Sequence, residues 1–180
     1  KADSLIQATR RQSVLKSGDN FSVLKLEEER QRLSELFRNN GYYYFRPEFT
    51  TFRADTLQKS GYVSLQVVPQ TSIPDEAKKQ YYIGQTSIYL TGYNGEAPTD
   101  TLRLRNMVIH YSGDKPGVRP GVIRRNLFFQ KGELYNQAKQ TYSQEAIARM
   151  GIFKYAEFRY EPKDTLSTCD SLNVNIHAMF

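Results

Sequence analysis

Leu26, Leu33, Leu36 and Phe37 fall on one face at helical spacing, between Ser22 and Gly41. Ser22 has the chemistry of an N-cap and Gly41 that of a left-handed stop. Ala138, Tyr142, Ala146 and Met150 draw the same stripe between Asn136 and Gly151. A shorter helix is predicted ahead of each, around Leu5 to Leu15 and around Val122 to Phe129. After each long helix the period drops to two, with Val63, Leu65 and Val67 in one half and Leu172, Val174 and Ile176 in the other. Aromatic-rich segments precede these strands and contain or end at Pro47 and Pro162. Proline has no amide for a ladder, so these first strands belong at sheet edges and the second strands at sheet centres. Tyr81 to Leu90 and Leu102 to Tyr111 are also strand-like, separated by a turn-rich stretch that includes Asn94-Gly95.

The two halves are copies of one pattern. Measured from Gly18 and Gly132, the pairs Arg10-Arg11 and Arg124-Arg125 lie at equal offsets. So do Phe21-Ser22 and Tyr135-Asn136. Downstream, Asp55-Thr56 and Asp164-Thr165 precede the alternating strands by the same distance. Internal repetition of this length decides architecture before any local preference does. The expected fold class is α+β, in tandem β-α-α-β-β units, each a small mixed sheet covered on one face by two helices. The first unit takes residues 1–70, with its opening strand missing or supplied from elsewhere. A polar segment, 71–79, links it to a second unit over 80–180 with an extra hairpin or loop near 91–101.

Composition narrows the chemistry. Thirteen Tyr and ten Phe against no Trp favour half-buried sheet surfaces. The net charge of +6 raises nucleic acid or an anionic membrane as partners, although acidic and basic residues are interspersed. A single cysteine, Cys169, leaves no intramolecular disulfide and no cysteine metal site, and its turn context marks an incidental thiol. No apolar run reaches the ~20 residues of a membrane-spanning helix. The chain opens at Lys1 without an apolar leader, as expected of a fragment or a processed chain. His110 and His177 lack a Cys or Asp cluster and read as structural. Glu27 to Glu29 read as a solvated helix start. No nucleophile triad, phosphate loop or carboxylate pair is present, so no catalytic residue, cofactor or metal is expected.

Helix-Gly-Asp-x-Phe-Ser-helix-Gly-Tyr-strand-strand resembles the POTRA domain, the polypeptide-transport-associated module. The resemblance is clearest from Arg119 to Ile176, on Lys131-Gly132-Glu133-Leu134-Tyr135 and Ala148-Arg149-Met150-Gly151-Ile152-Phe153. Tyr81-Tyr82-Ile83-Gly84 is similar to the opening strand of such a unit. The resemblance implies the soluble part of a BamA/TamA-type outer-membrane assembly protein of the surface antigen family. It would lie on the periplasmic side of the outer membrane of a Gram-negative bacterium, continuous with a membrane β-barrel. It would be a non-catalytic scaffold for unfolded outer-membrane proteins or accessory lipoproteins, which would bind by strand addition to a sheet edge. The expected edges are Tyr42, Tyr43, Tyr44, Phe45 and Arg46 within 42–49, and Tyr155, Glu157 and Arg159 within 155–160. Arg10, Arg11, Arg124 and Arg125 read either as anion or lipid-headgroup contacts or as structural partners of the following turns or of Asp55 and Asp164. The alternative function is a basic, aromatic-rich sheet that stacks nucleic-acid bases, a less favoured partner because the Tyr run lacks the interleaved Gly and Lys of such motifs.

Overall fold

The computed structural model describes residues 2–57, 60–166 and 168–180, and the chain divides into two compact units, Lys1–Lys79 and Gln80–Phe180. In the first, α1 (Ala2–Ala8) is followed by a 3-10 turn, Arg10–Gln12, rather than by one helix to Leu15. Thr9 ends the helix, its hydroxyl donating to the Leu5 carbonyl at 3.0 Å and competing with the backbone ladder. The long helix α2 (Val23–Asn39) is capped by Ser22, whose hydroxyl accepts from the Lys25 amide at 3.4 Å. It buries Leu33 and Phe37, and also Glu29 and Ser34.

The expected edge strand at Tyr42–Phe49 is not a strand. Tyr43 and Tyr44 form a turn, Tyr42, Phe45 and Arg46 are irregular, and a 3-10 turn covers Pro47–Phe49. The rings explain the difference. Phe37 meets Tyr42 edge-on at 5.4 Å and Phe45 at 4.4 Å, and Phe45 meets Phe49 at 5.8 Å. Burying that cluster requires the chain to reverse directly after the helix. The Tyr42 amide closes the reversal on the Phe37 carbonyl at 3.1 Å. Pairing therefore begins later, in β1 (Thr50–Asp55), which runs antiparallel to β2 (Ser64–Pro69). These two strands are the whole sheet, so β2 is not the central strand that its alternation predicted.

The second unit carries a five-stranded sheet in the order β4-β5-β3-β7-β6. Its strands are β3 (Tyr82–Thr91), β4 (Asp100–Arg103), β5 (Met107–Tyr111), β6 (Tyr155–Pro162) and β7 (Ser171–Met179). The opening strand β3 runs parallel to both neighbours, β5 and β7. The chain loops out between β3 and β4, within the expected 91–101, and β4–β5 forms a hairpin directly after it, at 100–111. The helices α3 (Pro120–Arg125) and α4 (Gln137–Arg149) complete the layer. Ile123, Tyr135 and Ile147 are buried there, with Ile88, Ile109, Leu172, Val174 and Ile176 from the sheet. Gly84 sits at a register shift in β3, where a Cβ would stand 2.5 Å from Asn173 Oδ1, so a larger residue would have to move that side chain, which accepts from the Gln85 amide.

The repeat extends to single bonds. Asn136 caps α4 by accepting from the Lys139 amide at 3.0 Å, as Ser22 caps α2. Lys25 pairs with Asp19 at 2.5 Å and Lys139 with Glu133 at 2.7 Å, each carboxylate directly following its turn glycine. Glu29 Oε2 accepts from the Val14 amide and Ser143 Oγ from the Phe128 amide, both at 2.9 Å and at matching offsets from Gly18 and Gly132. Those glycines have φ of 92° and 86°, the left-handed region that a side chain rarely enters. Asp55 and Asp164 each accept from the amide two residues on, Leu57 and Leu166, at 2.9 Å. This is the Asx turn that each Asp-Thr pair builds.

Candidate partner-binding edges

The strand β6 lies at the edge of the five-stranded sheet, with β7 as its one neighbouring strand. Its alternation sends Phe158 and Tyr160 into the buried layer and leaves Tyr155, Glu157 and Arg159 exposed. Arg159 Nη2 donates to Glu157 Oε2 at 2.8 Å. That bond and the nearby positive charge hold the Glu157 carboxyl below its ordinary range, and the same bond lifts Arg159 above its own. Pro162 closes β6 opposite Leu172, a place where the missing amide costs no interior ladder bond.

A further edge belongs to β2, and the repeat shows what it lacks. In the second unit the start of β3 bonds to the turn ahead of α4. Ile83 O accepts from the Gly132 amide at 2.7 Å, the Ile83 amide donates to Glu133 O at 2.8 Å, and the Tyr135 amide donates to Tyr81 O at 2.8 Å. The rest of β3 pairs with β7. No described strand takes that place in the first unit. The exposures follow: Tyr135 is 0% exposed, whereas Phe21, at the matching offset, is 55% exposed. In β7, Leu172, Val174 and Ile176 are buried, whereas Val63 is exposed and Val67, on the face that carries Phe52, is 37% exposed. Phe52 itself faces α2, with the Arg30 guanidinium 5.8 Å from its ring centre. An apolar, half-built sheet edge is therefore the principal feature that the strand assignment at Tyr42–Phe49 overlooked. Its signal was in the sequence, in the apolar alternation at Val63, Leu65 and Val67.

The remaining candidates stand apart from these edges. Arg10 and Arg11 are exposed in their 3-10 turn, and Arg124 and Arg125 are exposed at the end of α3. Glu29 is not solvated. It is 3% exposed and accepts from both the Val14 amide and Arg32. Tyr89 is stacked between His110 at 4.5 Å and His177 at 4.7 Å, with the ring planes nearly parallel, in a ladder across β5, β3 and β7. Thr101 Oγ1 lies 3.2 Å from His110 Nδ1. Among the described residues no group of three His, Cys, Asp or Glu is placed to hold a metal, and no helix is long and apolar enough to cross a membrane.

No protein-family model and no curated protein matches this sequence. Solved structures do. BamA from Haemophilus ducreyi lacking POTRA domains 1–3 aligns over 97% of this chain at 11% identity, with a TM-score of 0.63. The N-terminal domain of Omp85 from Thermosynechococcus elongatus aligns over 98% at 17% identity and 0.44, and POTRA1–3 of the periplasmic domain of Omp85 from Anabaena over 98% at 14% and 0.43. The chain spans 26%, 59% and 56% of those three chains. The likeness to the first shows the fold: an α+β chain of POTRA type, as in that BamA structure.

Proposed function

We propose that this chain is a non-catalytic protein-binding scaffold on the periplasmic side of the outer membrane of a Gram-negative bacterium, continuous with a membrane β-barrel. Its partners in this reading are unfolded outer-membrane proteins or accessory lipoproteins, taken up as added strands. The fold supports the setting, because a BamA structure shares it. The observation that carries the binding mode is the open edge of β2 beside the exposed Phe21 and Val67.

The second unit supplies the template for the occupant. By analogy with β3, an incoming segment would run parallel to β2, alternate apolar and polar residues, and bond to the backbone of Gly18, Asp19 and Phe21. Backbone bonds give sequence-tolerant affinity, and alternate side chains fill the uncovered apolar face. The outer edge of β6, lined by Tyr155, Glu157 and Arg159, is the second acceptor, with a charged rather than apolar lining.

The test is an NMR titration of the 180-residue chain with short alternating peptides from outer-membrane β-strands. Shifts confined to 18–21 and 64–69, or to 155–160, support strand addition. Shifts absent from all three segments rule it out. A strand from elsewhere in the full-length protein would fill the β2 edge too. Equal peptide affinity in the full-length protein marks a client site, and loss of that affinity marks an intramolecular one.

Burial of Tyr42 and Phe45 against Phe37 weighs against the nucleic-acid reading, since it leaves only Tyr43 and Tyr44, half-buried and packed edge-on against each other, to stack bases.

A further inference from the structure

At the β4 end of the five-stranded sheet, on its helix side, a groove separates the β4–β5 turn from the end of α3. It holds two adjoining cavities of about 360 and 600 Å³ that share Asn106, Met107, Arg124 and Gln130. Arg105 joins the lining on the hairpin side, and Arg125 and Lys131 on the helix side. No carboxylate lines either cavity. Among the described residues none of these four cations forms an ion pair, although other surface cations of this chain do, such as Arg149 with Glu145 and Lys139 with Glu133. The floor is apolar, made by the buried Met107 and Phe129 with Leu127 beside them.

Four unneutralised cations around one concavity focus a positive potential there. Guanidinium groups bind phosphate oxygens in pairs, and the side amides of Asn106 and Gln130 add neutral donors. The apolar floor selects a ligand whose anionic group is attached to an apolar stem. Phe129 is buried edge-on against Phe158 at 6.4 Å and offers no open face to a base, which disfavours nucleic acid. We propose that this groove binds the phosphate of an anionic amphiphile, such as a phospholipid headgroup. Arg124, Arg125, Arg105 and Lys131 hold the phosphate, and the first part of the acyl stem lies over Met107 and Leu127. The site lies at the opposite edge of the sheet from β6 and does not depend on strand addition.

The test is a ¹⁵N NMR titration of the 180-residue chain with monomeric dihexanoyl phosphatidic acid, and in separate arms with inorganic phosphate and a short single-stranded oligonucleotide. The expected result is saturable shifts at 104–107, 121–125 and 130–131 with the lipid. Arg124→Gln combined with Arg125→Gln should weaken binding at least about ten-fold, the scale of losing charged hydrogen bonds. Both side chains are exposed, so the fold should survive. Lys131→Gln, on a separate segment, should weaken binding as well, and Arg149→Gln, outside the groove, should not. Unchanged binding in the double variant overturns the site. Inorganic phosphate binding as tightly as the lipid overturns the amphiphile. Tighter binding of the oligonucleotide overturns the ligand class.

Discussion

Glu29 and Ser143 do one task with different chemistry. Each sits in the second helix of its unit and holds a backbone amide of the turn ahead of that helix, Val14 or Phe128. Ser143 also donates to Lys139 O at 2.7 Å, so its hydroxyl is fully used in a buried site. Ser143→Ala should cost roughly 1–3 kcal/mol, the penalty of leaving a shielded amide without an acceptor. Urea unfolding followed on the amides of the second unit measures it. At Glu29, burial pushes the carboxyl up, but hydrogen bonds from Arg32, the Val14 amide and Ser13 outweigh it and leave the group lowered from 4.5. A depressed folded value contributes stability above the unfolded value, lost as pH falls through the folded one. The first unit should therefore be equally stable from neutral pH down to about pH 5 and weaken below it. Glu29→Gln should cost about 1.5–3 kcal/mol at neutral pH and flatten that acid limb. Urea midpoints of the Leu33 amide against pH test both statements.

At the scale of elements, what was legible follows from what local chemistry decides. Ser22 and Asn136 as caps, the extents of the long helices and the alternation of β7 are set by neighbouring residues and stand in the structure as the sequence implies, but the stripe expected on α4 does not, since Tyr142 is exposed and Ser143 and Ile147 are buried with Ala146. The run Tyr42 to Phe45 was misread because its rings serve a cluster with Phe37, a contact that strand propensity does not register. The β2 assignment as a central strand failed for a different reason: alternation reports an apolar face, not the number of neighbours. Glu29 looked solvated because its partner amide lies fifteen positions away in the chain. The consequence for dynamics is measurable. β7 is flanked by β3 and β6, whereas β2 is flanked by β1 alone. Hydrogen exchange at Val174 and Ile176 should be at least ~100-fold slower than at Leu65 and Val67. Comparable rates would mean that the β2 edge is covered.

At the scale of the whole chain, the tandem was the most readable feature, since agreement of many offsets survives where single residues diverge. The unequal completion of the two units was half readable. The apolar alternation at Val63, Leu65 and Val67 was readable, but the exposure of Phe21 and Val67 beside an open β2 edge was not. The positive charge was readable as a sum of +6 and unreadable as a place, because Arg105, Arg124, Arg125 and Lys131 converge only through the β4–β5 hairpin. Strand addition rests chiefly on backbone bonds and burial, so peptide affinity should change little with salt. Binding that fell steeply as salt rose would point to a polyanion instead.

The most direct measurement is of intermolecular NOEs between an isotope-labelled alternating peptide and the backbone of β2. Strand addition on the template of β3 gives contacts to Leu65–Val68 in parallel register, together with contacts to Gly18 and Phe21. A bound peptide with no contact to β2 or β6, or one lying across the side chains without ladder contacts, contradicts it.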